Sequence, residues 1–329
     1  MSVATCVARS MLLALAAAAL IGCGDSSPSP NASSGATGTA ARPTVVVTSL
    51  PLLAMVHEIS AGDVEIVFPV PEEVDPPFWV PTAEDVGRMQ GADLIVTNGA
   101  GYERWLPTVS VPRTRVVDTN AANADQLIEL AEDVTHSHGP AGAHSHRGTA
   151  FTTWIDFALA SRQARAIADA LAERVPHYAQ DATASARMRE RARELSERLD
   201  SLAAQTVLAG RELNGAPIIA SHPVYEYLSR RAGLNTRSVH WEPGEAPTPE
   251  QWRELDAMRE THRASLMLWE GAPLPETEKL LADRGVRCVV FAPLGNSDNR
   301  DAAAWLDAMA ANVARLRAAA HPPADESHR

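Results

Sequence analysis

The sequence has little cysteine, few aromatic residues and no long apolar run. Three of its 329 residues are cysteine and only 5% are aromatic, so a fold stapled by several disulfides is excluded. The apolar run near the N-terminus, residues 11–20, is too short to span a bilayer. A net charge of −12 argues against nucleic acid as a partner and against broad contact with anionic lipid.

The N-terminal residues predict export. Arg9 provides a positive charge before the apolar run, and this arrangement is typical of a signal peptide, which we assign to residues 1–22. The stretch LIGC ends at Cys23 and resembles the lipobox of bacterial lipoproteins, so we expect Cys23 to be lipidated. The alternative is an ordinary signal peptide with a chance cysteine. The Ser-, Pro- and Gly-rich residues 23–42 predict a flexible tether to the periplasmic face of a bacterial membrane.

Export leaves Cys288 as the only thiol of the folded part of the chain. Its neighbours in the run CVVF predict a buried strand position. With no second thiol in the folded part, an intramolecular disulfide is excluded and redox chemistry is not expected.

The rest of the chain alternates short apolar runs with helical patterns. This alternation predicts an α/β fold with two Rossmann-like lobes, each built on a parallel sheet covered on both faces. We place an N-lobe over residues 43–175, a C-lobe over 211–318 and a flexible tail over 319–329. The predicted strands are TVVVTS, VEIVFPV, DLIVTN and RVVD in the N-lobe, and PIIAS, TRSVHW, LMLWE and RCVVFA in the C-lobe.

Between the two groups of strands lies a long helical pattern. Apolar residues at spacings of four and three draw one stripe along it: Met188, Ala192, Leu195, Leu199 and Leu202. We predict a connecting helix over residues 176–210, opened by Pro176, which joins the lobes. The alternative is that it is one of several surface helices.

A histidine-rich segment, THSHGPAGAHSHRG, covers residues 135–148. It has no hydrophobic period and contains a Pro-Gly pair, so we predict a flexible loop. Imidazoles suit Zn²⁺, Cu²⁺ or Ni²⁺, and ordering such a loop around an ion costs conformational entropy, so its binding should be weak. The alternative is a solvated loop of low complexity. The four histidines of the segment are His136, His138, His144 and His146.

Four stretches carry a resemblance to a known family. TVVVTSLPLLAMVHEISAGDVEIVFPVPEEVDPP and PTAEDVGRMQGADLIVTNGAGYERWL, followed by IIASHPVYEYLSRRAGL and LWEGAPLPETEKLLADRGVRCVVFAPLGN, are similar to the zinc and manganese ABC-transporter solute-binding lipoproteins. The similarity covers residues 43–316, and the histidine-rich segment resembles that of the zinc-uptake members. The resemblance implies two lobes, a rigid helix between them, and one ion held in the cleft for an ABC permease.

The chain departs from the family at the usual metal ligands. Three of the four positions at which the resemblance implies ligands lack the family residue, because they hold Pro77, Thr152 and Ala292. Only His222, in SHPVYEY, is preserved. A single imidazole does not hold Zn²⁺ or Mn²⁺, so metal binding has either moved or been lost.

Other donors follow the strands predicted in the C-lobe. VHWEPGE carries His240 and Glu242, and LWEG carries Glu270. Because ligand sites of α/β proteins form at the carboxyl ends of parallel strands, we expect these three residues and His222 to form a relocated metal site. The alternative is structural: Glu270 caps a helix and His240 is a satisfied core residue.

The stretch PPFWVPT, residues 76–82, stands where the family has a ligating loop. Proline fixes φ, so this stretch predicts a rigid wall that needs little reordering on binding. Several aromatic residues at or beside the motif positions favour an apolar cleft, although core packing is the alternative for each. The predicted wall consists of Pro77, Phe78, Trp79, Trp154, Trp241 and Trp269.

These observations predict a monomeric, extracytoplasmic metal-binding lipoprotein of an ABC importer. Zn²⁺ is the expected cargo, with Mn²⁺ and Fe²⁺ behind it. The alternative function is the capture of a small chelate or organic ligand in the aromatic cleft. We do not expect an enzyme, because no HExxH or comparable metallohydrolase motif supports a third hypothesis of a zinc-dependent hydrolase.

Overall fold

The computed structural model describes residues 41–130, 148–296 and 300–321, and the backbone alone of 134–137 and 143–146. The signal peptide, Cys23, nearly all of the tether and most of the tail lie outside the described residues. The described part contains no helix that is both long and apolar enough to cross a membrane.

The N-lobe is built on a four-stranded parallel sheet. Its strands lie in the order β2-β1-β3-β4, and each pairs in parallel with its neighbours. The middle strands are buried along almost their whole length, which explains why they read as continuous apolar runs rather than as alternating ones. The strands are β1 (Thr44–Val47), β2 (Glu65–Val67), β3 (Leu94–Thr97) and β4 (Val116–Asp118).

The histidine-rich segment contains two short paired strands. β5 (Val134–Ser137) and β6 (Ala143–His146) form an antiparallel ribbon in which His136 is the backbone partner of His144. The prediction of a flexible loop is therefore corrected at these two stretches, which form paired strands. A segment without hydrophobic periodicity can still form strands, because backbone hydrogen bonds also pair strands of polar residues. His138 lies outside the described residues.

The C-lobe repeats the architecture of the N-lobe. Its parallel strands lie in the order β10-β9-β7-β8. The two sheets confirm the α/β fold with two parallel-sheet lobes. Cys288 lies in the last of these strands and is half-buried. The strands are β7 (Pro217–Ala220), β8 (Asn235–Ser238), β9 (Leu266–Trp269) and β10 (Arg287–Val290).

Helices cover both sheets and join the lobes. Those of the N-lobe and the connection are α1 (Leu50–Ser60), α2 (Ala83–Gly91), α3 (Phe157–Arg174), α4 (Pro176–Gln180) and α5 (Ala182–Leu213). Those of the C-lobe are α6 (Glu226–Ala232), α7 (Pro249–His262), α8 (Pro275–Asp283) and α9 (Trp305–Ala319).

The long helix between the lobes is α5, and its bounds differ from the predicted 176–210. Pro176 opens the separate short helix α4, and α5 begins after Asp181, whose carboxylate accepts hydrogen bonds from two backbone amides of the first turn. The helix packs against α1, α3, α6 and α9, so it contacts both lobes.

Gly210 lies inside α5 rather than at its end. A Cβ atom at this position would stand 1.8 Å from the backbone oxygen of Ala232 in α6, so only glycine allows the two helices to approach so closely. The helix ends at Leu213, where Asn214 adopts the left-handed conformation with φ of 50°.

Candidate metal site

Three neighbouring strands of the C-lobe bring the predicted site residues to one edge of the sheet. His222 follows β7, His240 and Glu242 follow β8, and Glu270 follows β9 directly. Backbone hydrogen bonds continue the sheet past the strand ends: Ser221 N donates to Leu268 O at 2.8 Å, and Trp241 N donates to Ser221 O at 2.6 Å. Parallel pairing therefore holds the three segments that follow β7, β8 and β9 side by side where the site residues begin.

The His222 ring lies between two carboxylates. Its Nδ1 is 2.8 Å from Glu270 Oε1, and its Nε2 is 4.0 Å from Glu242 Oε1. The ring of His240 meets that of His222 edge to face, with the centroids 6.0 Å apart. His222 is only 3% exposed, whereas about a quarter of each carboxylate side chain is exposed, so the group lies at the surface with His222 at its base.

The electrostatics of the group favour a cation and a neutral imidazole. Partial burial of the ring lowers the pKa of His240, and His222 lowers it further, against the opposing charges of Glu254 and Glu242. A neutral imidazole has the lone pair that a metal ligand needs. Carboxylates beside the imidazoles attract a divalent cation and would offset part of its charge.

The sequence analysis missed Glu226, the first residue of α6. Burial raises the pKa of the Glu226 carboxyl, a backbone hydrogen bond and an electrostatic interaction with His222 lower it, and Glu270 raises it again, so Glu226 interacts electrostatically with the same group of side chains. Its position four residues after His222, at the start of the helix that follows β7, was the signal that could have identified it.

The group has suitable donors but is not a preformed ion cage. Among the residues that the structure describes, no three His, Cys, Asp or Glu side chains are arranged to hold one metal ion. A zinc ligand nitrogen lies about 2.0–2.1 Å from the ion, so the side chains of His222, His240 and Glu242 would have to move toward one another to bind one ion. The contact between His222 and Glu270 is already formed.

The positions where the resemblance implies ligands have structural roles here. Thr152 Oγ1 donates to Val224 O at 2.7 Å, so this buried hydroxyl ties the N-lobe to the loop that carries His222. The backbone of Ala292 exchanges hydrogen bonds with the side chain of Asn312. Pro77 is buried in a 3-10 turn over Pro76–Phe78. None of these three side chains provides a metal-binding atom at the C-lobe group.

The aromatic residues of the predicted cleft wall are mostly packed in cores. Trp79 meets Trp105 at 5.3 Å inside the N-lobe, and Trp241 and Trp269 lie together in the core of the C-lobe. Trp154 lies between the lobes, where its Nε1 donates to Pro293 O at 2.7 Å. These contacts account for the burial of the four tryptophans by packing.

PPFWVPT has an exposed side as well as a buried one. The guanidinium of Arg104 lies 5.4 Å from the centre of the Phe78 ring, and Val80 is 81% exposed. The stretch closes one side of the N-lobe core and carries the N-cap of α2, Thr82, whose hydroxyl accepts from Asp85 N.

One histidine outside the group has a purely structural role. His262, at the end of α7, is buried, and its Nε2 lies 2.9 Å from Ile218 O, so it is a satisfied core residue.

Burial and the charge of Glu278 raise the pKa of the Cys288 thiol to about 12, so this thiol stays protonated at neutral pH.

Comparisons with known proteins find similar sequences and similar folds. The chain is similar to the high-affinity zinc uptake system protein ZnuA of Bacillus subtilis (strain 168), with 24% identity over 282 residues that cover 83% of this chain and 86% of that protein. In fold it is similar to the Zn(II)-bound ZnuA-like domain of Streptococcus pneumoniae AdcA, at 16% identity and a TM-score of 0.68, over 84% of this chain and 98% of that one.

A second solved structure, the solute-binding protein FpvC of Pseudomonas aeruginosa in complex with Mn²⁺, shares the fold at 23% identity and a TM-score of 0.64, over 84% of this chain and 98% of that one. The family model described as zinc-uptake complex component A, periplasmic, matches residues 45–319. Members of that family are binding components of uptake systems and not enzymes. On the strength of that match, the chain belongs to the zinc-uptake complex component A family.

Proposed function

We propose that this chain is the extracytoplasmic solute-binding protein of a metal ABC importer and that its cargo is Zn²⁺. Membership in the zinc-uptake family supports the class of function. The observation that carries the proposal is the group at the C-lobe edge, in which buried His222 lies between Glu270 and Glu242 with His240 beside it.

Each member of the group has a proposed role. His222 through Nε2, His240 and Glu242 bind the ion, while Glu270 holds Nδ1 of His222. A carboxylate on the far nitrogen of a ligating histidine fixes its tautomer and orientation and makes it a better donor. This relocated site therefore has three protein ligands, and Zn²⁺ takes four donors, so one position is left for another molecule.

The mixture of donors favours Zn²⁺ over the hard cations. Two imidazoles and a carboxylate suit Zn²⁺, whereas Ca²⁺ and Mg²⁺ prefer shells of oxygen. Similar structures hold Zn(II), Mn²⁺ or Ni²⁺. Mn²⁺ and Ni²⁺, together with the Fe²⁺ expected from the sequence, are the metals to compete against Zn²⁺ in a binding experiment.

The proposal includes how the ion is delivered to the permease. Lipidation at Cys23 would hold the monomer at the membrane, close to the ABC permease that accepts the ion. The histidine-rich ribbon, with His136, His144 and His146 on paired strands, would gather Zn²⁺ weakly before transfer, together with His138, which follows the first of these strands in sequence. A lipid anchor at Cys23 and a flexible tether of about 20 residues leave the lobes free to reach the permease.

The test is calorimetry of the metal-stripped protein with Zn²⁺. His222→Ala should weaken the tight class of binding at least tenfold, which is about 1.4 kcal/mol. His177→Ala, which removes an exposed histidine of α4, is the matched control and should bind like the parent. Equal affinity for all three proteins would remove the C-lobe group from consideration as the site.

A further inference from the structure

The proposed site opens on a cavity of about 350 Å³ in the C-lobe. His240 and Glu242, two of the three proposed ligands, also line this cavity, so the cavity borders the proposed site. The remaining lining residues are Trp241, Glu245, Ala246, Pro247, Thr248 and Gln251.

The cavity is larger than a coordinating water needs. One water occupies about 30 Å³, and cavities that hold small organic ligands begin at about 300 Å³. The cavity can therefore hold a molecule with several donor atoms beside the ion.

The walls of the cavity are held by hydrogen bonds within the chain. Gln251 Nε2 donates to His240 O at 2.9 Å, and Gln251 Oε1 accepts from Thr248 N at 2.8 Å. Glu245 N donates to Glu242 O and closes the turn between them. With the side chain of Gln251 used in this way, the charged carboxylate of Glu245 is the main group left to contact a guest.

The charge of the walls selects the chemistry of the guest. Two carboxylates, Glu242 and Glu245, face the cavity, and neither lysine nor arginine is among its lining residues in the described part of the chain. A polycarboxylate chelator would meet like charges, whereas a chelator with nitrogen donors and no net negative charge would not. The apolar faces of Trp241 and Pro247 would contact its carbon atoms.

We infer that the cargo is Zn²⁺ bound together with a small nitrogen-donor chelator, which completes the coordination of the ion and occupies the cavity beside Glu245. The inference rests on the proposed metal site. The chelator supplies the donor atoms that the three proposed protein ligands leave missing, so the coordination sphere of the ion is complete. The transported solute is then the complex rather than the bare ion.

The experiment is equilibrium dialysis of the metal-stripped protein with radiolabelled chelator, with and without Zn²⁺. L-Histidine serves as the nitrogen-donor probe and citrate as the polycarboxylate probe. About one histidine per protein should be retained in the presence of Zn²⁺, with little retained in its absence and little citrate in either case. Zn²⁺ binding without retention of histidine would overturn the inference while leaving the proposed function intact.

Variants of the cavity locate the retained molecule. Ala246→Trp fills the cavity from an exposed position and leaves the proposed ligands in place, so it should bind Zn²⁺ and lose histidine. Glu245→Gln should weaken histidine retention about threefold, the size of one exposed charge interaction, while Glu260→Gln, which changes an exposed carboxylate of α7 outside the cavity lining, should change nothing. Histidine retained by Ala246→Trp would place the chelator elsewhere, and an absence of Zn²⁺ binding in the parent protein would instead refute the proposed function.

Discussion

Glu270 gives the sharpest prediction about the metal site, because a ligand and a positioning residue respond differently to the same substitutions. Its Oε1 lies 2.8 Å from Nδ1 of His222, whose ring is buried and has little access to water as a substitute partner. The loss of a carboxylate that supports a ligating histidine typically costs about 10–100-fold in metal affinity.

Removing the carboxylate should therefore weaken Zn²⁺ binding by about 2 kcal/mol. We expect Glu270→Ala to raise the Kd about 30-fold. Glu270→Gln keeps an oxygen near Nδ1 of His222 but loses the charge, and polar contacts to an ionised partner are roughly twice as strong as neutral ones. The glutamine variant should lose about half of the free energy, a rise in Kd of about fivefold.

The assay is Zn²⁺ titration by calorimetry, with a chelator competitor if the parent binds too tightly to measure directly. Glu276→Gln, an exposed acidic residue in the first turn of α8, is the matched control for the loss of one charge. If the glutamine variant binds as weakly as the alanine variant, Glu270 contacts the ion itself. If both bind like the parent, the contact with His222 does not support the site and the reasoning is refuted.

Three further predictions follow from the ribbon, the altered family position and a buried acid. Deleting residues 136–146 should remove a weak class of Zn²⁺ binding and keep the tight class in calorimetry; loss of both classes would put the main site in the ribbon. Pro77→His alone should leave Zn²⁺ affinity unchanged within about twofold, because the neighbouring ligand positions hold Thr152 and Ala292; a large gain would contradict that assignment. Burial raises the pKa of Glu103 from 4.5 to about 7 despite hydrogen bonds from Thr48 and two backbone amides. The folded state therefore keeps this proton to higher pH than the unfolded chain, and the free energy of unfolding should fall by about 3 kcal/mol as pH rises from 4.5 to 7, a fall that urea unfolding should not find in Glu103→Gln.

The links between the lobes bear on how the protein presents its cargo. Thr152 bonds to the backbone of the His222 loop, and the buried carboxylate of Asp156, at the start of α3, makes two hydrogen bonds with Arg231 of α6. Tyr227 of α6 donates to Ala150 O at 2.8 Å. The N-lobe thus contacts the C-lobe through structural hydrogen bonds near the site, whereas the proposed ligands all come from the C-lobe.

Local pattern was enough to predict the α/β class, the eight sheet strands and the existence of a long helix between the lobes. Each of these depends on apolar periodicity over a few turns or one strand, and the preferred burial of such runs acts within the segment itself. The resemblance carried by ASHPVYEYLSRRAGL and ADLIVTNGAGYERWL also depended on sequence alone, and the family assignment is confirmed. The exact ends of the long helix were not predicted, because Asp181 and Gly210 act through a cap and a close approach to α6.

The grouping at the site required tertiary structure. His222, Glu242 and Glu270 come from segments that are far apart in sequence, and only the order β9-β7-β8 brings their strand ends together. The orientation of the His222 ring, with Nδ1 toward one carboxylate and Nε2 toward another, depends on three loops at once. Glu226 was missed because its place four residues after His222 also suits an ordinary helix-start glutamate, and its interaction with Glu270 depends on the fold. Sequence determined which elements form, since their formation is local; tertiary packing decided which donors meet, since that depends on the pairing of distant strands.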